Sequence, residues 1–214
     1  MKYGICVCGL NGSGKTTLAS ALAKELNFKH MDIEQFYFTS TDNPYASSRT
    51  REEVERLLIE DIKQNSCFVF SAVNCDITPK INDNYDLVVY LDVPLDMRMK
   101  RIRQRAFDKF GDRVLPGGDM YEQEERFFAY AKKRTSEKIE NWIKTLSCKV
   151  VRLDGTKPIQ ENVELVKSLL LWGACIRPSV CLSKRPQGNR PCAASAGESS
   201  SSTVGSRPSS VALT

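Results

Sequence analysis

One run near the start of the chain combines residue types and spacing that suit phosphate binding. Residues 9–16 read Gly-Leu-Asn-Gly-Ser-Gly-Lys-Thr and fit the pattern GxxxxGK(S/T). Glycines at positions 12 and 14 let the backbone turn inward, so that its N–H groups face an anion. Lys15 is suited to neutralise the β and γ phosphate oxygens, and the Thr16 hydroxyl to bind Mg²⁺. The run therefore predicts a site for a nucleoside triphosphate and magnesium.

The elements on either side of this run are those that the chemistry requires. Residues 2–8 read as a short buried strand, and residues 16–26 as a helix with one apolar face. A helix that begins directly after the loop adds its N-terminal donors and its dipole to the same phosphates. We assign nucleotide binding to Gly9, Asn11, Gly12, Ser13, Gly14, Lys15, Thr16 and Thr17, with Thr16 as the metal ligand and Lys15 also as a catalytic residue.

The rest of the sequence narrows the class of nucleotide-binding protein. The chain has no Asn-Lys-x-Asp motif for reading guanine, and its 214 residues are too few for a large ring ATPase. Outside the last 42 residues, 26 basic side chains face 25 acidic ones, so the body has no surplus positive charge for a nucleic-acid backbone. Small size and a near-neutral body favour a kinase that acts on a small molecule.

Strand-like and helix-like segments alternate along the body, which is typical of a parallel sheet covered by helices on both faces. The predicted strands are residues 2–8, 28–31, 67–73, 87–91 and 149–153. The predicted helices are residues 16–26, one from Thr50 with a capping box to Glu53, 94–107, about 119–134 and 136–146, and 158–171. We predict one three-layer α/β domain over residues 1–172.

The remaining segment, residues 173–214, has a different composition. It contains ten serines and four prolines and no Phe, Tyr or Trp. Such a segment buries too little apolar surface to offset its ordering entropy, so we predict a disordered tail. A basic interaction tail and an extension foreign to the domain are the alternatives.

The sequence also predicts the compartment. No apolar run of about 18 residues and no charged-then-apolar leader is present, so we expect a cytoplasmic protein without a membrane span. The eight cysteines include no CxxC pair, and Cys6 and Cys67 lie in apolar strand-like runs. We interpret all eight as reduced thiols.

Three stretches together resemble the nucleoside monophosphate kinases, adenylate kinase in particular. They are residues 9–16, then Asp92-Val93-Pro94 followed by Arg101-Ile102 and Arg105, and finally Asp154-Gly155-Thr156-Lys157-Pro158. The resemblance covers residues 1–171. It implies a P-loop fold with five strands in the order 2-3-1-4-5, and ATP with Mg²⁺ as cofactors.

The same resemblance assigns roles to residues in the second half of the body. It implies that Arg101 lies against the adenine ring, that Arg105 reaches the transferring phosphate, and that Gly155, Thr156 and Pro158 offer backbone contacts to the base edge. Two arginines four positions apart emerge from one helix face, and the planar guanidinium suits both tasks. For Arg98 and Arg103, a solvated basic face is the favoured interpretation.

The acceptor side departs from adenylate kinase. Its Asp-Gly-Phe-Pro-Arg and Thr-Gly-Asp stretches are missing, and His30-Met31-Asp32-Ile33-Glu34 stands after the second strand. Carboxylates there resemble those with which shikimate-kinase-like and nucleoside-kinase-like enzymes hold an acceptor hydroxyl. Asp32 is our candidate for this role or for a magnesium-shell contact, with Glu34 second and a loop cap as the alternative. His30 is interpreted as structural.

Other charged residues are candidates for closing the site. Arg113, in the short lid-like segment at residues 106–118, is the catalytic candidate that closure would bring in. Arg49 and Arg51 suit an acceptor phosphate or carboxylate, or simply a solvated helix start. Asp76 and Asp92 are both candidates for the metal shell.

These observations lead to one functional prediction with two rivals. We predict a monomeric phosphotransferase that moves the γ-phosphoryl group of ATP, with Mg²⁺, to an unidentified small acceptor: a nucleotide, a nucleoside or a hydroxylated metabolite. The alternatives are an ATPase and a nucleotide-binding regulatory protein without an acceptor.

Overall fold

A parallel sheet of five strands runs through the body of this computed structural model, which describes residues 2–38, 48–73 and 75–174. The strands are β1 (Tyr3–Cys8), β2 (Lys29–Asp32), β3 (Cys67–Ala72), β4 (Leu87–Asp92) and β5 (Lys149–Asp154). They lie in the order β2-β3-β1-β4-β5. The predicted order and the predicted α/β class are therefore confirmed.

The helices predicted from apolar periodicity are present within a few residues of their expected bounds. They are α1 (Lys15–Leu26), α3 (Arg51–Gln64), α5 (Leu95–Phe110), α6 (Tyr121–Lys133), α7 (Glu137–Ile143) and α8 (Ile159–Ala174). The capping box between Thr50 and Glu53 begins α3 as expected. The sequence analysis missed α2 (Ile33–Tyr37), α4 (Pro79–Asn82) and a 3-10 turn (Gly111–Val114), which are too short to show a helical period.

The end of the body lies slightly later than expected, since α8 continues to Ala174. The tail that the sequence predicts at residues 173–214 therefore falls, from residue 175 onward, outside the described residues.

Two apolar layers sandwich the sheet, because alternate residues of each strand point to opposite faces. On β1, Ile5 and Val7 belong to one layer, which also contains residues of α1 and α8. Cys6 and Cys8 belong to the other layer, together with residues of α3 and α7. A third, smaller cluster joins Ile102 and Ala106 of α5 to α6. This cluster holds the helical hairpin that projects from the sheet.

Because all five strands are parallel, the chain segments that follow them begin at the same end of the sheet. In the register, Cys8 of β1 faces Ala72 of β3 on one side and Tyr90 of β4 on the other, and Asp32 of β2 faces Ser71 of β3. From β1 the chain passes to β2, which lies beyond β3, whereas from β3 it passes to β4, on the other side of β1. The connections that leave the neighbouring strands β1 and β3 therefore run in opposite directions. In open parallel sheets, ligands bind in the crevice beyond such a point.

The prediction that all cysteines are reduced thiols is wrong for one pair. Cys6 and Cys75 form a disulfide across 69 residues of sequence. The pairing of β1 with β3 brings them together, since Cys75 follows the end of β3 by three residues. Cys8 is a free buried thiol, and burial raises its pKa to about 12. The cysteines at positions 175, 181 and 192 lie outside the described residues.

In the part of the chain that the structure describes, none of the helices combines the length and the apolar character needed to cross a membrane.

Leu18 tests how strongly α1 is held to the sheet. Its side chain is completely buried, so Leu18→Ala should leave a cavity and lower the free energy of unfolding by about 2–5 kcal/mol. Leu165→Ala, on α8 with a 42% exposed side chain, is the matched control and should change it by less than about 0.5 kcal/mol. Urea denaturation measures both, and equal losses would contradict the packing described for α1.

Candidate active site

The glycine-rich loop at residues 9–14 connects β1 to α1 at the crevice edge of the sheet. Gly12 and Gly14 have φ values of 81° and 90°, the left-handed region that glycine adopts without strain. A Cβ at Gly12 would lie 2.5 Å from the Arg98 carbonyl oxygen, so only glycine allows the loop to approach α5 this closely. Gly14 directly precedes α1, whose first turn therefore points its N–H groups into the loop.

Ser13 is a buried residue of the loop that forms a hydrogen bond within it. Its backbone N–H donates to the Leu10 carbonyl at 3.1 Å, and its side chain is only 1% exposed. The Ser13 hydroxyl has no hydrogen-bond partner among the described residues. A buried hydroxyl without a partner is costly unless something else satisfies it, which fits a loop that receives a phosphate oxygen.

Lys15 stands at the centre of a group of charged side chains. Burial lowers the pKa of its ammonium group; the nearby carboxylates of Glu34 and Asp32 raise it, and the guanidinium groups of Arg105 and Arg134 lower it further. These four side chains come from the end of β2 (Asp32), α2 (Glu34), α5 (Arg105) and the end of α6 (Arg134). The fold thus brings together the residues that sequence analysis assigned to donor and acceptor, with Arg134 in addition.

The metal-ligand candidate, Thr16, has a side chain accessible to an ion. Thr16 is exposed in the first turn of α1, next to Lys15, and Thr17 is exposed beside it. Mg²⁺ held by nucleotide phosphates needs only one or two protein oxygens, and the rest of its shell is phosphate and water. The Thr16 hydroxyl and the Asp32 carboxylate are hard oxygen donors of this kind, so the residues present fit the ion.

Two arginines of α5 attach the loop to the rest of the site. Arg101 donates from Nη1 to the Ser13 carbonyl at 3.2 Å and from Nη2 to the Gly155 carbonyl at 3.0 Å. Arg98 donates from Nε to the Val93 carbonyl at 3.2 Å and from Nη1 to the Asn11 carbonyl at 3.4 Å. The expectation of a solvated Arg98 is wrong: its side chain is buried because its guanidinium satisfies these carbonyls.

The turn between β5 and α8 lies beside the end of β4. The Gly155 N–H donates to the Asp92 carbonyl at 2.8 Å, and a Cβ on Gly155 would lie 2.5 Å from the Val93 side chain. The Thr156 N–H and hydroxyl both donate to Asp154 Oδ1, at 2.8 and 2.7 Å. Pro158 follows in the turn and its carbonyl accepts the first bond of α8. Contact of this turn with a nucleotide base stays a prediction.

Asp32 and Glu34 occupy the acceptor side in different ways. Asp32 is nearly buried, and its Oδ1 accepts a hydrogen bond at 3.0 Å from the Glu34 N–H, which caps α2. The capping interpretation is therefore correct for one of its oxygens. The Glu34 side chain is exposed in the first turn of α2. His30, on the same strand as Asp32, lies 3.4 Å from the Ser71 hydroxyl, and burial lowers its pKa.

Arg134 is the charged residue that the sequence analysis missed. It lies at the end of α6, where its Nη1 donates at 3.3 Å to the side-chain oxygen of Asn11, 123 residues earlier. A basic residue at the end of a helix is usually read as a partner of the helix dipole, and no local pattern distinguishes this one. The proximity of Arg134 to the loop becomes apparent only in the folded chain, where the end of α6 lies beside Asn11.

Three other arginines are directed elsewhere. Arg113 is exposed and paired with Asp119 at 2.6 Å, so its proposed role on lid closure stays a prediction. Arg49 donates to the carbonyls of Gln35 and Phe36, and Arg51 to the carbonyl of Ile77. Of the metal-shell alternatives, Asp76 accepts from Asn82 Nδ2 at 3.3 Å, and Asp92 lies exposed at the end of β4.

Comparison with known proteins agrees with this architecture. The family model described as "AAA domain" matches residues 5–113. The chain is 32% identical over 178 residues to the uncharacterized protein YqaC of Bacillus subtilis, spanning 79% of this chain and 98% of that protein. It is 30% identical to the cytidylate kinase of Pyrococcus abyssi, over 55% of this chain and 72% of the relative. A shikimate kinase structure from Bacteroides thetaiotaomicron shares the fold, with a TM-score of 0.51 at 24% identity over 79% of this chain and 98% of that one.

The close approach at Gly12 provides a test of the loop. Gly12→Ala should abolish nucleotide binding, since the new Cβ would collide with the Arg98 backbone and displace the loop. Gly117→Ala is the matched control: Gly117 also has positive φ, 92°, but a Cβ there meets no atom within 4 Å. Both variants carry similar backbone strain, so calorimetric ATP titration separates the collision from the strain. Loss of binding in both, or in neither, would contradict this account of the loop.

Proposed function

We propose that this chain, which belongs to the "AAA domain" family and is a P-loop small-molecule kinase, transfers the γ-phosphoryl group of ATP, bound with Mg²⁺, to a small acceptor. Its similarity to the cytidylate kinase of Pyrococcus abyssi supports this proposal. The observation that carries this proposal is the group around Lys15. Cations from α5 and the end of α6, and carboxylates from the end of β2 and from α2, all act electrostatically on Lys15, the lysine that would hold the transferred phosphate.

The donor half of the reaction follows from the loop. Its backbone N–H groups and the first turn of α1 hold the phosphates, and Lys15 neutralises the β and γ oxygens. Bound Mg²⁺ supplies further neutralisation, with Thr16 as its protein ligand. Arg105 and Arg134 also act electrostatically on Lys15, and we assign them to the charge that spreads over the phosphoryl oxygens in the transition state. Arg101 holds the loop against the turn at Gly155 and so fixes the nucleotide side.

The acceptor half requires a carboxylate that faces the transferred group. We assign Asp32 to the water shell of the metal and to the positioning of α2, because one of its oxygens already caps that helix. Glu34, exposed in the first turn of α2 two residues later, is then the group that orients the acceptor and takes its proton. Both assignments place negative charge near Lys15, in agreement with the direction in which each carboxylate moves the pKa of Lys15.

Lys15→Ala tests the donor half. Loss of a charge-assisted phosphate contact should weaken Mg²⁺-ATP binding by at least about 2 kcal/mol. Lys24→Ala, in the exposed last turn of the same helix, removes equal charge and should leave affinity unchanged. Thr16→Ala should instead reduce the dependence of binding on magnesium. Calorimetry with and without Mg²⁺ measures these effects, and undiminished affinity in Lys15→Ala would rule out the loop as the phosphate site.

Asp32→Asn separates transfer from nucleotide binding. The amide keeps the size and the cap acceptor but removes the negative charge, so transfer should fall by about 10² or more while ATP affinity stays within about threefold. Arg105→Lys should also lower turnover more than affinity, since it loses the planar fork. Acceptor-dependent transfer and acceptor-free hydrolysis are measured in parallel for both variants. If the variants change only the rate of hydrolysis, the proposed transfer is wrong and the protein is an ATPase.

A further inference from the structure

A cavity of about 370 Å³ lies between α2, α5 and α6, outside the phosphate loop itself. Its apolar wall consists of Ile102, Ala106 and Phe110 from α5 and Phe127 from α6. Cavities of this size with an apolar wall and a few polar groups are typical of sites for small metabolites. The two aromatic side chains favour a ligand with a flat, unsaturated part.

One end of this cavity lies on the side of Lys15, the lysine that the proposed function assigns to the transferred phosphate. Glu34 and Arg105 both line it, and both also act electrostatically on Lys15. A molecule in the cavity therefore lies with one end beside the position of the γ-phosphate. Direct transfer of the γ-phosphoryl group requires an acceptor bound at this position.

The charges around the cavity limit what that acceptor carries. Besides Glu34 and Arg105, the lining includes Glu124 and Lys109, whose ammonium lies 4.9 Å from the centre of the Phe110 ring. Since we assign Arg105 to the transferring phosphate, the charged lining left for the acceptor consists, among the described residues, of two carboxylates and one lysine. An acceptor with a phosphate of its own would meet net negative charge here.

Arg49 and Arg51, the sequence-based candidates for binding an acceptor phosphate or carboxylate, donate instead to backbone carbonyls of this chain. Arg49 donates to carbonyls at the end of α2, and Arg51 donates to the Ile77 carbonyl at 2.5 Å. Carboxylates, in contrast, are good acceptors for hydroxyl and amine hydrogens.

We infer that the cavity between α2, α5 and α6 binds an uncharged nucleoside, and that Glu34 holds the hydroxyl that becomes phosphorylated. This inference rests on the proposed function. The hydroxyl oxygen forms a bond to the γ-phosphorus, and the bond from that phosphorus to the bridging oxygen of ADP breaks. The hydroxyl proton passes to the Glu34 carboxylate. The products are ADP and a nucleoside phosphomonoester, whereas a nucleotide acceptor would give a phosphoanhydride.

The test compares matched acceptors. Purified full-length protein with Mg²⁺-ATP is given adenosine, guanosine, cytidine or uridine, or the corresponding 5′-monophosphate, at equal concentration. Phosphorus NMR distinguishes phosphomonoester from diphosphate products. At least one nucleoside should react at least tenfold faster than its own 5′-monophosphate.

Variants connect that preference to Glu34. Glu34→Gln should lower transfer to the nucleoside by about a hundredfold while ATP affinity stays within about threefold, and it should narrow the preference over the monophosphate. Glu122→Gln, on the exposed face of α6, removes the same charge outside the cavity and should change neither rate. Full activity in Glu34→Gln overturns the role of Glu34 in the inference.

The outcomes also distinguish this inference from the proposed function. Transfer to monophosphates in preference to nucleosides overturns the nucleoside assignment and leaves the kinase intact. Hydrolysis of ATP with no transfer to any of the eight acceptors overturns the nucleoside assignment. If Asp32→Asn also changes that hydrolysis, the protein is an ATPase and the proposed transfer is overturned as well.

Discussion

The close contact between the phosphate loop and the start of α5 is the constraint on which the site depends. Gly12 approaches the Arg98 carbonyl so closely that no side chain fits, and the Arg98 and Arg101 guanidinium groups donate to carbonyls of the loop. Each backbone oxygen satisfied in this way lets the loop turn its N–H groups toward a ligand. The loop is thus held open to an anion from one side because its carbonyls are occupied on the other.

The same contact determines the position of the remaining groups. The helix α5 carries Arg101 to the turn at Gly155 and brings Arg105 near Lys15, and it packs on α6 through Ile102 and Ala106. At the end of α6, Arg134 contacts the side chain of Asn11. The two packed helices therefore bring cations from α5 and from the end of α6 near Lys15.

On the acceptor side the controlling feature is a helix cap. Asp32 ends β2, faces Ser71 across the sheet and caps α2 with one carboxylate oxygen. This cap sets the direction of α2 and turns Glu34 toward the cavity beside Arg105. The local requirement for a cap and the chemical requirement for carboxylates are met by the same short segment, so the two interpretations of Asp32 do not exclude each other.

Most of the fold and the presence of the phosphate loop were predictable from the sequence. The pattern at residues 9–16 has a local meaning, because backbone N–H groups, a lysine and a threonine act within a few residues of one another. Apolar periodicity likewise located the strands and longer helices, and the family resemblance supplied the strand order, which the structure confirms.

Only the tertiary structure decided which distant groups meet. The burial of Arg98, the position of Arg134 next to Asn11 and the pairing of Cys6 with Cys75 each join residues that are 69 or more positions apart. The roles that we propose for Asp32 and Glu34 likewise depend on α2, a five-residue helix too short to show a helical period in the sequence. Sequence patterns report local geometry, whereas the charge and shape of an acceptor site arise where several elements converge, and that convergence exists only in the folded chain.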